Sequence, residues 1–274
     1  MLYCCTVFES GIGKKLKILV TNDDGIDAPG LAALVKSLAA IGEVTIVAPL
    51  KEQSAVGHAI TMQLPLRVTD YKKNGDFFGY AVSGTPADCV KIGIRNIMKV
   101  PPDLVVSGIN HGSNTAINII YSGTVSAARE AAIMDIPSMA VSVTNHEATD
   151  FRFAAKLSQL LAKELAGKDL PLGTLLNVNV PDVPEDLVAG IRLTRQGKSK
   201  WDDIYEQRID PYGKNYYWLT GILMEVDTEI ETDQAAIRKN YVSISPIHFD
   251  LTDYETYERM KNWKLENLLN GKEH

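Results

Sequence analysis

Cysteine is scarce in this chain of 274 residues: Cys4 and Cys5 are adjacent near the start and Cys89 stands alone. That pattern excludes a disulfide-built scaffold and offers no zinc spacing. No run of about 18 consecutive apolar residues occurs, so no helical membrane span is expected. Long basic stretches are absent as well, and the formal net charge is −6. A sequence-independent grip on nucleic-acid polymers or on an acidic membrane surface is therefore not expected. The opening Met1-Leu2-Tyr3-Cys4-Cys5-Thr6-Val7-Phe8 lacks the basic start and full apolar stretch of an export signal. Residues 1–15 read as an extension ahead of the first strand, and the chain as a reduced, cytoplasmic protein.

What is present is an ordinary globular composition, 45% apolar, with strand-like and helical patterns alternating through the first two-thirds. Strands are expected at 16–21, 43–49, 103–107, 138–143 and 174–180, and helices at 31–39, 124–134 and 151–165. Strands separated by helical lengths imply a three-layer, Rossmann-like α/β fold, a mostly parallel sheet with helices on both faces. Residues 66–69 and 77–82 flank the turn signal Lys73-Asn74-Gly75-Asp76, which predicts an inserted β-hairpin. From about residue 186 the character shifts. Residues 201–218 mix tyrosines, charges and the turn-like Asp210-Pro211-Tyr212-Gly213, and Tyr216-Tyr217-Trp218-Leu219 is strongly β-prone. This stretch reads as a protruding C-terminal hairpin that packs on another subunit rather than as a stacking platform for bases. The division expected is a single domain over 16–274, with a core at about 16–185 and an oligomerisation hairpin and tail at about 186–274.

Asn22-Asp23-Asp24-Gly25 is the most informative segment. It follows the first apolar strand directly, and Pro29-Gly30 then opens a helix. The acid pair thus lies at the carboxyl end of a first strand, where open α/β sheets bind ligands. Adjacent carboxylates repel, and a divalent cation is the usual means of keeping both ionised. On the pair alone, helix capping by one aspartate and hydration of the other explains the residues equally well.

Three further loops follow strands: Glu52-Gln53-Ser54-Ala55-Val56-Gly57-His58, then Gly108-Ile109-Asn110-His111-Gly112-Ser113-Asn114, then Tyr121-Ser122-Gly123-Thr124. Each alone is an ordinary polar turn. Together, at one edge of a doubly wound sheet, they offer carboxylate, hydroxyl and amide oxygens for a metal. They also offer Ser122-Gly123-Thr124 at a helix N-terminus, where backbone N–H groups suit an anion.

The sequence resembles the stationary-phase survival protein family, SurE. The matching segments are ILVTNDDGIDAPGLAAL at 18–34, APLKEQSAVGHAIT at 48–61, VSGTPADCVKIGI at 82–94, PDLVVSGINHGSN at 102–114, YSGTVSAAREA at 121–131, DPYGKNYYWLTG at 210–221 and SISPIHFDLTD at 243–253. Two departures stand out. The first fifteen residues have no counterpart, and Ser54-Ala55-Val56-Gly57 stands where an Arg-Ser-Gly pattern is common.

The resemblance implies a metal-dependent 5′-nucleotidase that hydrolyses nucleoside monophosphates, with 3′-nucleotides and short polyphosphate as further candidate substrates. It implies one divalent ion per subunit on Asp23, Asp24, Ser54 and Asn110, an all-oxygen set that selects Mg²⁺ or Mn²⁺ over Zn²⁺. It further implies phosphate binding by Asn114, Ser122, Gly123 and Thr124, and a homodimer or homotetramer that exchanges C-terminal elements. Asp23 and Asp24 are the catalytic candidates, with Asp24 as the proton acceptor; His58 and His111 lie in site loops as candidate proton donors. A phospho-receiver domain would need a third aspartate where Ser107-Gly108-Ile109-Asn110 stands, and a haloacid-dehalogenase-type phosphatase would need Asp-x-Asp after the first strand. A non-catalytic nucleotide or phosphate sensor on the same fold is the alternative.

Overall fold

The structure is a computed structural model describing residues 15–166, 168 and 170–270. The expected extension therefore lies outside the described residues up to residue 14. The chain runs β1 (Leu16–Thr21), α1 (Pro29–Leu38), β2 (Gly42–Pro49), β3 (Val68–Lys73), β4 (Asp76–Val82), α2 (Pro86–Ile92), β5 (Leu104–His111), α3 (Asn118–Tyr121), α4 (Gly123–Ile133), β6 (Ser138–Val143), α5 (Arg152–Ala166) and β7 (Thr174–Val180). It continues with β8 (Gly190–Leu193), β9 (Lys200–Ile209), β10 (Asn215–Met224), α6 (Asp233–Arg238), β11 (Tyr241–His248) and α7 (Tyr254–Met260). Among the described residues no helix is long and apolar enough to cross a membrane.

One sheet has nine strands in the order β3-β4-β2-β1-β5-β6-β7-β11-β8, and β9 with β10 forms a separate antiparallel pair. From β4 to β7 the pairings are all parallel. The chain leaves β1 for β2 on one side and later returns to pair β5 on the other. That reversal at β1 and β5 is the topological switch point, where such sheets hold ligands.

The alternation of side chains along β1 explains the layers. Ile18 and Val20 join a core with Leu31, Leu34 and Leu38 of α1 and Leu157 of α5. Leu19 faces the other way, against Cys89 and Val90 of α2 and Ala127 and Ala131 of α4. Each such leucine contributes about 1.5–3 kcal/mol through removal of apolar surface from water. The alanines let α4 lie close on the sheet, which brings its first turn up against the end of β1.

The inserted hairpin forms as expected, and the main sheet extends farther than the sequence indicated. The hairpin of β3 and β4 turns at Asn74 and Gly75, both with positive φ as an Asn-Gly hairpin turn requires. Yet β4 pairs parallel to β2, so the hairpin extends the main sheet. The sheet also continues past residue 185: β11 pairs antiparallel with β7, and β8 pairs parallel with β11. The buried Val242, Ser243 and Ser245 of β11 carry too weak an alternation to announce a strand in isolation.

Candidate metal and phosphate site

Asp23 emerges from β1 into the protein interior and is almost wholly buried. Its carboxylate lies against the first turn of α4, where the Thr124 hydroxyl donates a short hydrogen bond to Oδ1. A Cβ on Gly123 would stand 2.8 Å from Asp23 Cβ and 2.9 Å from Oδ2, so only glycine permits this approach. Burial pushes the Asp23 carboxyl up from 3.8 to about 6, with Thr124 opposing and the neighbouring Asp24 adding to the rise. Asp24 is more exposed, and its Oδ2 lies 3.2 Å from Nδ1 of His111. The His111 ring in turn meets Phe151 edge-on at 4.9 Å.

The loop after β2 docks beside the pair. Gln53 N–H donates to the Asp23 carbonyl at 2.7 Å, and Gly57 N–H donates to the Tyr121 carbonyl at 2.9 Å. Ser54 follows Gln53 in the chain and so belongs to the docked loop, while its own hydroxyl donates to Glu52 Oε1 at 2.7 Å on the exposed side.

Strand β5 runs farther than its sequence pattern suggested, to His111, with a register irregularity against β6 between Ser107 and Asn110. Irregularities of this kind re-aim side chains beside functional sites. The Asn110 amide nitrogen donates to the carbonyls of His111 at 3.1 Å and Gly112 at 2.8 Å. Its Oδ1 is thus fixed in direction and has no hydrogen bond from the described residues. Asn22, before the acid pair, has a buried Oδ1 in the same condition.

The phosphate candidates divide in two groups. Ser122 caps α4, accepting from Val125 N–H at 3.0 Å, while Thr124 serves Asp23. Asn114 belongs to a buried amide network: its side-chain nitrogen donates to Ser142 Oγ at 2.8 Å, and its backbone N–H to Asn179 Oδ1 at 2.8 Å. Asn177 and Asn179 both donate to its carbonyl. One side-chain N–H of Asn114 remains for a ligand. Sequence reading missed Asn177 and Asn179, although two amides at alternate positions of an otherwise apolar strand were a legible sign.

The two histidines separate. His58 Nε2 lies 2.8 Å from Glu130 Oε2, and Lys91 donates to the other oxygen at 2.7 Å. Burial works to raise the Glu130 carboxyl, yet His58 and Lys91 hold it below the ordinary value. His58 is thus engaged along α4, and His111 is the one in contact with the acid pair.

A divalent cation fits this arrangement. Neither Asp23 nor Asp24 has a lysine or arginine partner among the described residues, and the amide oxygens beside them lack donors. No group of three or more His, Cys, Asp or Glu side chains converges among the described residues, so any ion here relies on amide and hydroxyl oxygens, the chemistry of a hard cation.

Comparison with known proteins identifies the family. A family model described as "Survival protein SurE" matches residues 18–203. A protein named 5′-nucleotidase SurE from Syntrophobacter fumaroxidans is 50% identical over 250 residues, covering 91% of this chain and all of that one. A protein of the same name from Chlorobaculum tepidum is 48% identical over 256 residues, covering 93% and 97%. The crystal structure of the SurE protein from Aquifex aeolicus superposes with a TM-score of 0.77 at 40% identity, covering 90% of this chain and 99% of that one. With the family's matched segment running from β1 through the site loops into β9, and whole-length relatives sharing up to half their residues, this chain belongs to the SurE family.

Proposed function

We propose that this protein is a metal-dependent 5′-nucleotidase, hydrolysing nucleoside monophosphates to nucleoside and phosphate. Proteins of nearly equal length at up to 50% identity carry the name 5′-nucleotidase SurE. The structural observation that carries the reading is the acid pair, Asp23 and Asp24, which has no lysine or arginine partner among the described residues, with Asp24 beside His111 and Asp23 set against the N-terminus of α4. Asp23, Asp24, Ser54 and Asn110 would hold one Mg²⁺ or Mn²⁺. When bound, such an ion supplies positive charge to polarise a phosphoryl group and to activate water.

The chain's own groups do the rest. Asp23, buried and fixed by Thr124, holds one charge in place. Asp24, more exposed, accepts a proton from the attacking water as the oxygen bonds to phosphorus. His111, within reach of Asp24, donates a proton to the leaving alkoxide and is restored through that contact. The Gly123 N–H at the helix N-terminus and the second side-chain N–H of Asn114 bind phosphate oxygens. The Ser122 N–H is given to the Asn118 carbonyl at 3.0 Å and the Thr124 N–H to the Asp23 carboxylate. The reading extends to a cytoplasmic homodimer or homotetramer, with the β9–β10 hairpin and the C-terminal segment as the contact. Its support is the exposure of Tyr217, Trp218, Leu219 and Ile222 on that hairpin.

Turnover of a nucleoside 5′-monophosphate with Mn²⁺, and its loss in chelator, is the expected result. Metal-dependent nucleotide binding without turnover would make the protein a sensor instead. Light scattering that gave the mass of a single chain at micromolar concentration would overturn the assembly.

A further inference from the structure

We infer that Asp233 is a positioning residue for phosphate binding, acting through the loop that carries Asn114 and leads to Ser122. Its carboxylate accepts three backbone N–H groups, two from remote segments and one from its own neighbour in the chain. Ala116 donates to Oδ2 at 2.8 Å, and Gly197 and Gln234 donate to Oδ1 at 3.0 and 2.8 Å. Asp233 is fully buried. A Cβ on Gly197 would stand 2.9 Å from Asp233 Oδ1 and 3.0 Å from Asp227 Oδ2, so the close approach depends on glycine there.

The loop is held from both sides. Asn177 and Asn179 of β7 grip the backbone of Asn114. On the other side Asp233 takes the Ala116 N–H, and Gln196 donates to the Ala116 carbonyl at 2.8 Å. Trp201, at the base of the exposed hairpin, donates its indole N–H to Asn118 Oδ1 at 2.8 Å. Ala116 itself has φ of 49°, a conformation an alanine adopts only when its neighbours impose it. The Ala116 N–H and carbonyl are therefore both fixed by residues about 80 or more positions away in sequence. None of them lies on the loops that carry Asp23, Asp24, Ser54 or Asn110. Loosening this clamp should therefore displace the phosphate-binding groups and leave the acid pair as it is.

The inference rests on the phosphate-site reading above. Its test is Asp233→Asn in the full chain, with Gln196→Ala as the milder variant on the exposed side of the same loop. The readouts are kcat, KM, inorganic phosphate binding by calorimetry with Mn²⁺ present, and Mn²⁺ affinity. The expected result for Asp233→Asn is a KM and a phosphate Kd raised about tenfold or more, with Mn²⁺ affinity unchanged and kcat moved less than KM; misplacement of binding groups readily produces effects of that size. Gln196→Ala should show the same split at about threefold, and it decides the matter if Asp233→Asn does not fold. Wild-type phosphate Kd and KM in folded variants would overturn the clamp alone, and so would a parallel loss of Mn²⁺ affinity. A wild-type protein that binds phosphate but does not turn over nucleotide would refute the enzymatic reading and leave the clamp standing. One that does neither would overturn both.

Discussion

Asp23 and Glu130 are both buried carboxylates at α4, one against its first turn and the other in its C-terminal half, yet only Glu130 has basic partners. Glu130 is bound by His58 and Lys91 and held below its ordinary value. Asp23 faces another carboxylate and rises to about 6. A buried charge with its partners in place is complete as structure. A buried charge beside a second, like charge is destabilised by the fold and gains most from a cation that is not part of the chain. The comparison separates a residue that ties α4 to α2 and the 52–58 loop from one suited to chemistry.

The sharpest way to break this contrast is Asp23→Asn. Activity should fall at least about a hundredfold, the scale on which one electrostatic partner of a reacting group acts, and Mn²⁺ binding should weaken sharply. The metal-free protein should gain stability at neutral pH. Folding raises this carboxyl, so its penalty is absent below the ordinary value of 3.8 and grows as pH rises to about 6. The full displacement corresponds to about 3 kcal/mol at neutral pH. Urea unfolding in chelator should show wild-type stability dropping between about pH 4 and 6, and the variant lacking that drop. Wild-type turnover by the variant would reduce Asp23 to a capping residue.

Thr124→Val comes next. The sequence assigns Thr124 to phosphate and not to the metal. In the structure its hydroxyl donates to Asp23, so the variant should weaken Mn²⁺ and phosphate binding together. A hydrogen bond to a charged group contributes about 1.5–3 kcal/mol, or roughly a ten- to hundredfold fall in kcat/KM. Thr124→Ser should restore most of it. Mn²⁺ affinity left intact in the valine variant would return Thr124 to the phosphate alone.

Glu130→Gln should show the reverse profile, a larger effect on stability than on chemistry. About 1–3 kcal/mol is expected, on the low side for a buried pair because Lys91 is half exposed. The carboxyl is depressed on folding, so its contribution is present above the ordinary carboxylate range and is lost as pH falls through the lowered value. The slope is opposite in sign to that of Asp23. Parallel pH–stability curves for Asp23→Asn and Glu130→Gln would show that the two carboxylates do not differ as described.

The contrast was only half legible in the sequence. Asn22-Asp23-Asp24 after an apolar strand announced itself, because strand ends and adjacent charges are local features. The mostly parallel sheet with helices on its faces followed from the alternation of elements, while the strand order about β1 did not. Glu130 gave no signal, because its partners His58 and Lys91 are 72 and 39 residues away. Asp233 is similar: its carboxylate meets backbone N–H groups, which any residue type supplies, so no pattern of side chains marks the pairing. Asn177 and Asn179 lie between these cases, visible as polar interruptions of a buried strand but without a partner until the Asn114 loop is placed beside them.

Ser54→Ala carries the smallest expected effect and refines the comparison by asking what a neutral oxygen adds beside two charged ones. Its loop is docked on Asp23 through Gln53, while its hydroxyl rests on Glu52. To serve a cation the hydroxyl must turn from Glu52, so part of what it gains at the ion offsets a hydrogen bond it gives up. The net contribution of one neutral hydrogen-bonding group is about 0.5–1.5 kcal/mol. Mn²⁺ affinity, measured by calorimetry, should therefore fall about two- to tenfold, with kcat at saturating Mn²⁺ nearly unchanged. Glu52→Gln makes the complementary measurement. It weakens the competing acceptor, and it should leave Mn²⁺ affinity equal to or slightly above that of the wild type. If Ser54→Ala were instead as damaging as Asp23→Asn, the hydroxyl would have a role in the chemistry itself, and charge alone would no longer explain why this edge of the sheet is the site.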